Sequence, residues 1–338
     1  MGHFMAVILA AGEGKRMKSK KAKVLHEICG VPLVDWVYRC VKSSGVADTV
    51  LVVGHKADDV KEYMKDKVFY ALQKEQLGTG HAVMQAEEFL KNKDGNVLVL
   101  CGDTPLITSE TIQNTIKHHN ENGNSATVIT ADLDNPSGYG RIVRDGSGNV
   151  QKIVEHKDAS LEERNIREIN SGMYCFNIPS LVEALKELDN NNSQGEYYLT
   201  DTLEILIKKG MRVGAVKVGD ENEILGINDR VQLSQATRII RERILDRLMR
   251  SGVTLIDPAT TYIDQDVQIG MDTIIYPSTI IEGITTIGED CVIGPGSRIT
   301  DSRLADMVEV ENSVVTGSSI SKGSKVGPFA CLGPGSNV

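Results

Sequence analysis

Positive charge is in deficit along this chain: 37 Lys and Arg against 46 Asp and Glu leave a formal net charge of −9. That balance excludes a general electrostatic attraction to nucleic acid or to an anionic membrane, so any phosphate chemistry has to draw on local charge. Cysteine is sparse and scattered. Cys29, Cys40, Cys101, Cys175, Cys291 and Cys331 form no CxxC pair and no Cys/His cluster at metal-binding spacing, which excludes a zinc site and reads as reduced thiols in a cytoplasmic protein. No run approaches the roughly 18 apolar residues of a membrane span, and no charged leader with a long apolar stretch opens the chain, so neither membrane insertion nor secretion is expected. Aromatic residues are scarce at 4%. With 41% apolar and 25% charged residues, the composition is nevertheless that of a globular protein and excludes disordered, collagen-like and coiled-coil classes. The opening Met1-Gly2-His3-Phe4 stands before a second methionine, Met5, and reads as an expression remnant.

The 338 residues are enough for two packed units. From residue 5 to about 218, short β-rich runs (5–11, 49–53, 96–101) alternate with stretches long enough for crossover helices, such as 32–44 and 81–90. The alternation predicts an α/β fold with a doubly wound, mostly parallel sheet, in which ligands sit beyond the carboxyl ends of the strands. Residues 229–250 lack Gly and Pro and carry Ile240, Ile244 and Leu248 on one helical face, predicting a helix that links two domains. Its arginines, interleaved with Glu242 and Asp246, read as a solvated face. Boundaries of 5–228, 229–251 and 252–338 follow for a first domain, a linker helix and a second domain.

In the last part Ile263, Ile269, Ile275, Ile281, Ile287, Ile293 and Ile299 recur at an unbroken interval of six. Two residues before each of the last six stand the small or β-branched Val267, Thr273, Thr279, Thr285, Cys291 and Ser297, as tightly wound strand coils require. After a phase slip the period is expected to resume at Val308, Val314, Ile320, Val326, Leu332 and Val338. A six-residue period predicts a parallel β-helix in which each aliphatic side chain stacks on its equivalent in the next coil. The pattern stops at Val338 without a polar cap, which reads as an incomplete coil.

Chemistry concentrates at strand ends. After the first run comes Gly12-Glu13-Gly14-Lys15-Arg16-Met17, a glycine turn able to bring backbone N–H groups to phosphates. It is not a Walker A loop, and Met17 stands where a dinucleotide fingerprint needs its third glycine. Lys15, Arg16, Lys18, Lys20, Lys21 and Lys23 crowd around it in an otherwise acidic chain. Asp103 follows the run 96–101 at the predicted binding edge, where a carboxylate suits a hard cation such as magnesium; capping of a following helix is the alternative. His118 and His119, with His26 and His81, form no catalytic triad, and no protein nucleophile is signalled.

The glycine turn followed by Lys23 resembles the first loop of sugar nucleotidyltransferases, Gly-x-Gly-x-Arg-Met then Pro-Lys, with Ala22 where proline is usual. Further blocks occur in matching order: Gln73 to His81, Gly138-Tyr139-Gly140-Arg141, Glu155-His156-Lys157-Asp158, Glu168 to Gly172 and Gln194 to Tyr198. From Met5 onward the chain thereby resembles the bacterial family with N-acetylglucosamine-1-phosphate uridylyltransferase activity in its N-terminal part and glucosamine-1-phosphate acetyltransferase activity in a β-helix. The solenoid is similar to the left-handed β-helix of hexapeptide-repeat proteins. The resemblance implies a Rossmann-like nucleotidyltransferase domain followed by a left-handed parallel β-helix, in a cytoplasmic homotrimer that makes cell-wall precursor.

It further implies that Leu9, Ala10, Ala11, Gly12, Gln73, Gly78 and Thr79 hold the uracil and ribose of UTP. Arg16 and Lys23 would face the phosphates as catalytic residues, and Cys101, Gly102 and Asp103 would also line the substrates. Gly140, Glu155 and Asn170 would bind N-acetylglucosamine 1-phosphate. Mg²⁺ would sit on Asp103 and Asn228, the latter by resemblance alone, since by itself Asn228 reads as a helix cap. Cys331 and Gly333 stand where the family has arginines, one of which serves its acetyltransferase site, so no acetyltransferase activity is expected of this chain. Two alternatives stay open: a glucose-1-phosphate adenylyltransferase-like enzyme, and a non-catalytic subunit that senses nucleotide sugars.

Overall fold

The computed structural model describes residues 4–338; the remnant reading of the first three residues lies outside the described residues. Phe4 itself belongs to the fold, because it opens the strand Phe4–Ala10 and pairs with Asn96. The chain divides into two compact units, residues up to 26 with 32–232, and 27–31 with 233–338.

The first unit is built on one sheet. Across it run Val213–Lys217, Ala126–Asp132, Glu168–Asn177, Asn96–Cys101, Phe4–Ala10, Asp48–Val53 and Phe69–Leu72. Neighbours are parallel except Glu168–Asn177, which is antiparallel to both of its own. A hairpin of Arg141–Arg144 and Val150–Val154 joins through the Ile169–Arg141 pair. The central strands are apolar on both faces. Met5 and Val7, Val50 and Val52, and Val97 and Val99 enter one core; Ala6 and Ile8, Leu51 and Val53, and Leu98 and Leu100 enter the other. Two buried faces need helices on both sides, which is the doubly wound arrangement. The helices Leu33–Ser43, Ala57–Met64 and Ser109–Glu121 supply the second core with Val37, Met64 and Ile112. Ile178–Leu185 and Asp201–Lys208 supply the first with Leu181 and Leu203.

Chain order reverses beside Phe4–Ala10: the strands Asp48–Val53 and Phe69–Leu72 extend to one side, and Asn96–Cys101 lies on the other. The crevice beyond the carboxyl ends of Phe4–Ala10 and Asn96–Cys101 is therefore the topological switch point at which such sheets take ligands.

In the second unit Leu255, Ile275, Ile293, Val310 and Val326 stack in parallel register on one sheet. Ile263, Ile281, Ile299, Val315 and Leu332 stack on the next, and Ile269, Ile287, Leu304 and Ile320 on the third. These three faces are those of the left-handed parallel β-helix. Val267, Thr273, Thr279, Thr285, Cys291 and Ser297 are all buried, and the Thr273 hydroxyl ties coil to coil: its Oγ1 donates to Gly288 O at 2.8 Å and accepts from Cys291 N at 3.1 Å. The expected resumption of the period needs correction. The strand-to-strand steps Ile299 to Leu304, Val310 to Val315 and Val315 to Ile320 are each one residue short of six, so the period is out of phase between them and returns to the expected places at Ile320, Val326 and Leu332. Val308 consequently takes the small corner position and Val314 is exposed, while Val315 is fully buried.

The division between units falls inside the helix Arg230–Arg250, at 232/233. Within the second unit it is held to the coils by Arg241, whose guanidinium lies 4.5 Å from the centre of the Tyr262 ring, and by Arg247, which donates to Gln265 O at 3.2 Å. Arg250 pairs with Asp246 at 2.7 Å on an exposed face, as expected of solvated arginines.

Candidate active site

The cleft at the switch point encloses about 270 Å³, and Leu9, Ala10, Ala11, Gly12, Lys23, Gln73, Gly78, Thr79, Cys101 and Asp103 all line it. Their convergence follows from the sheet. Gly102 N donates to Leu9 O at 2.9 Å, carrying the strand ladder one step past Cys101 and setting Asp103 at the lip. Gln73 N donates to Val53 O at 2.8 Å, and its side-chain amide donates to Gly78 O at 3.1 Å and meets His81 Nδ1 at the same distance. Gly78 has a φ of +106° and lies against Tyr197, where an added Cβ would come within 2.6 Å of the Tyr197 carbonyl oxygen. Only glycine satisfies both conditions. Val24, Gln76, Ala82 and Glu196 also line the cleft and were not singled out from sequence.

Asn228 reaches the site from the far end of the unit. The backbone explains how: Ile227 N donates to Asp103 O at 2.9 Å, fastening the turn that carries Asn228 beside Asp103. The side-chain NH₂ of Asn228 donates to Gly226 O at 3.3 Å, leaving its Oδ1 to accept from Lys23 Nζ at 3.3 Å. Capping of the long helix falls instead to Asp229, whose Oδ1 accepts from Gln232 N at 2.9 Å. Lys23 forms its other contact as an ion pair with Asp103 Oδ2, with both side chains largely buried. Gly14 leaves the berth for the lysine stem, since an added Cβ there would lie 2.6 Å from Lys23 Cβ.

Asp103 Oδ2 and Asn228 Oδ1 thus converge on one cationic nitrogen. A carboxylate and an amide carbonyl are hard oxygen donors, the kind a magnesium-sized ion takes one or two of before completing its shell with phosphate and water. The donor set fits such an ion. Among the described residues no group of three or more His, Cys, Asp and Glu side chains could hold a metal. Asp103 also opens no helix of its own; the helix that follows is capped by Thr108, whose hydroxyl accepts from Thr111 N at 3.2 Å.

A second cluster adjoins the first. Asn170 N donates to Gly140 O at 2.9 Å, and a Cβ on Gly140 would lie 3.3 Å from Glu155 Oε1, so Gly140, Glu155 and Asn170 meet as expected from sequence. The Asn170 side chain accepts from Gly172 N at 3.0 Å, and the Cys101 thiol donates to Gly172 O at 3.5 Å, joining this cluster to the cleft. Burial, reinforced by the Asp103 carboxylate, pushes the Cys101 thiol up to about 12. Burial, followed by Asp201 and Asp158, raises the Glu155 carboxyl. Glu155 also borders a larger cavity of about 640 Å³ lined by Asp158, Tyr198 and Asp201, where burial and Glu204 lift Asp201 to about 6.

Of the residues predicted to meet the nucleotide, Arg16 and Gly102 do not line the cleft. Arg16 is exposed on the short turn Lys15–Met17. The Thr79 hydroxyl accepts from Leu199 N at 3.2 Å, which ties the loop of Glu196 and Tyr197 across the cleft wall.

A family model for nucleotidyl transferases matches residues 5–222, and one for bacterial transferase hexapeptide repeats matches 266–301. A protein of Acetivibrio thermocellus named bifunctional protein GlmU is 72% identical over 99% of this chain and 72% of its own length. Proteins of the same name from Caldanaerobacter subterraneus subsp. tengcongensis and Clostridioides difficile are 54% and 52% identical, over 100% and 99% of this chain and 74% and 73% of theirs. The chain belongs to the GlmU family. Its nucleotidyl transferase part is the first unit, with the cleft at the switch point, and it is a nucleotidyltransferase. The hexapeptide-repeat match ends at residue 301, within the first shortened step from Ile299 to Leu304. Among the described residues no helix is long and apolar enough to cross a membrane.

Proposed function

We propose that the chain transfers UMP from UTP to N-acetylglucosamine 1-phosphate, giving UDP-N-acetylglucosamine and pyrophosphate, with Mg²⁺ held at Asp103 and Asn228. The convergence of the Lys23 ammonium with the Asp103 and Asn228 oxygens at the lip of the cleft carries this reading. A phosphate oxygen of the sugar attacks the α-phosphorus in line; the new P–O bond forms as the bond to the pyrophosphate bridging oxygen breaks, and the pair of electrons leaves with pyrophosphate. No covalent enzyme intermediate is needed, so positioning and charge neutralisation supply the rate enhancement. When bound, the magnesium ion supplies positive charge at the phosphate oxygens.

Leu9 to Gly12, Gln73, Gly78 and Thr79 hold the uridine, with Cys101 completing the floor. Gly140, Glu155 and Asn170 hold the sugar. Lys23 meets the phosphates from inside the cleft, and Arg16 is brought to them from its exposed turn. We further assign the active form as a cytoplasmic homotrimer assembled through the β-helix. No acetyl transfer is expected, because Cys331 and Gly333 replace arginines; acetyl transfer from acetyl-coenzyme A to glucosamine 1-phosphate would refute that part.

Pyrophosphate release is the test. UTP with N-acetylglucosamine 1-phosphate and Mg²⁺ should be the productive combination, and a preference for ATP with glucose 1-phosphate would move the reading to an adenylyltransferase. Asp103→Ala and Arg16→Ala should each lower turnover by about a hundredfold or more, the scale of losing one transition-state contact. Near wild-type turnover in either removes that residue from the mechanism.

A further inference from the structure

Building on the proposed metal site, we infer that the Lys23 ammonium and the divalent ion are alternative occupants of one pair of oxygens, so that ion loading expels Lys23 toward the phosphates. The ammonium bonds to Asp103 Oδ2 and to Asn228 Oδ1, the two atoms assigned to the ion. An ion at magnesium–oxygen distances of about 2.1 Å from both atoms would occupy the same wedge of space as the ammonium. Two cations cannot share it. Asp103 and Lys23 are 19% and 14% exposed, so little water is available to screen their repulsion.

The lysine is built to move. Its backbone is fixed in the short turn Lys23–Leu25 by buried Val24 and Leu25, while its stem lies along Gly14 in the glycine turn that borders the cleft. Rotation of four single bonds can carry the ammonium from the oxygen pair to a phosphate beside Gly12 without shifting the backbone. Held on the pair, the ammonium neutralises a carboxylate that would otherwise be half-desolvated and unpaired. The lysine therefore opposes metal binding by the free protein, and nucleotide removes that opposition by giving the displaced ammonium a new anionic partner. This makes nucleotide and metal binding cooperative through one side chain.

Mn²⁺ binding read by electron paramagnetic resonance tests this on the full chain without measuring activity. Lys23→Met should bind Mn²⁺ at least tenfold more tightly than the parent when nucleotide is absent, and the advantage should vanish or reverse with UTP present. Equal or weaker Mn²⁺ binding by the variant overturns the exchange. Should Lys23→Met fail to fold, Lys23→Gln and the parent serve. In ¹⁵N-lysine-labelled parent protein, the Lys23 ammonium resonance should lose its hydrogen-bonded shift as Mg²⁺ is added, and an unchanged resonance at saturating Mg²⁺ refutes the idea. Asp103→Asn in the Lys23→Met background separates this inference from the site reading. If Asp103→Asn leaves Mn²⁺ affinity untouched, the metal site itself is misassigned; if it abolishes binding while Lys23→Met brings no gain, only the exchange fails.

Discussion

Gly78→Ala tests how the cleft wall is built. Gly78 sits at φ 106° and ψ 175°, a backbone region that is essentially glycine's alone. Alanine there costs about 1–3 kcal/mol in strain. The new methyl would also lie 2.6 Å from Tyr197 O, 2.9 Å from Tyr197 N and 3.0 Å from Glu196 Cβ, so the crossing loop has to retreat. Retreat breaks two backbone bonds, Tyr197 N to Leu77 O and Gly80 N to Tyr197 O, both 2.8 Å. At about 1 kcal/mol each, the total reaches roughly 3–5 kcal/mol, or a fall in melting temperature of roughly 10 °C for a unit of this size. Glu196 and Thr79 shift with the loop, and displacements approaching 1 Å cost up to about a hundredfold, so kcat/KM for UTP should drop by about 10- to 100-fold. Gly195→Ala is the control. It has a left-handed φ of +67° with open space around it, so it should lose only about 1–2 kcal/mol and keep its kinetics. Thermal melts and steady-state pyrophosphate release on the pair decide the matter. If Gly78→Ala matches Gly195→Ala in both readings, the close approach of Gly78 to Tyr197 does not shape the site.

Three further substitutions examine the coil register and the acidic cavity. Val315→Ala removes a fully buried stacking side chain and should cost about 1–3 kcal/mol in urea unfolding, whereas Val314→Ser, on an exposed side chain, should be nearly neutral; the reverse order would restore the unbroken six-residue count. Asp201→Asn addresses the carboxyl lifted from 3.8 to about 6. An acid with a raised folded pKa binds more protons folded than unfolded, so its contribution to stability falls as pH rises from about 4 to about 6 and stays low above that. The variant should therefore melt higher than the parent at pH 7.5, by of order 1 kcal/mol once screening of a partly exposed group is allowed for, and the gap should close by pH 4. A gap that persists at pH 4 would assign the gain to helix capping instead.

Legibility in the sequence followed the regularity of the interactions. The parallel strands were readable because both of their faces are buried, which leaves uninterrupted apolar runs such as Val97 to Leu100. The six-residue isoleucine count was readable because each coil repeats the last. It failed at Val308 and Val314, which lie between steps shortened by one residue, and came back into phase at Ile320, Val326 and Leu332; hydrophobicity alone does not distinguish Val314 from Val315. Leu9 to Gly12 and Gln73 were legible as binding residues only through the family resemblance, whereas the glycine turn and Asp103 declared themselves by position at strand ends. Glu196 and Gln76 did not, since they enter the cleft from loops folded back by Tyr197 and Leu77, whose bonds link residues far apart in the chain. Nor does any local pattern tell that Asn228 meets Asp103, because a single backbone bond from Ile227 joins the two turns.

The cationic turn raises a last physical question, how an acidic chain accommodates an anionic substrate. The sequence groups six cations there, but the fold treats them unequally. Lys15, Arg16, Lys18, Lys20 and Lys21 are exposed, and Lys15 is already paired with Glu13 at 2.5 Å. Charges in that situation act over roughly 8 Å at physiological salt, enough to gather a polyphosphate near the turn but not to fix it. Lys23 alone of the six is drawn into the cleft, at 14% exposure, where screening is weak and a displaced ammonium still meets phosphate at nearly full strength. Salt should therefore slow nucleotide association through the exposed group while leaving the contact made by Lys23 largely intact. A turn that looks like one basic patch in sequence is, in the folded unit, a capture surface beside a single committed charge.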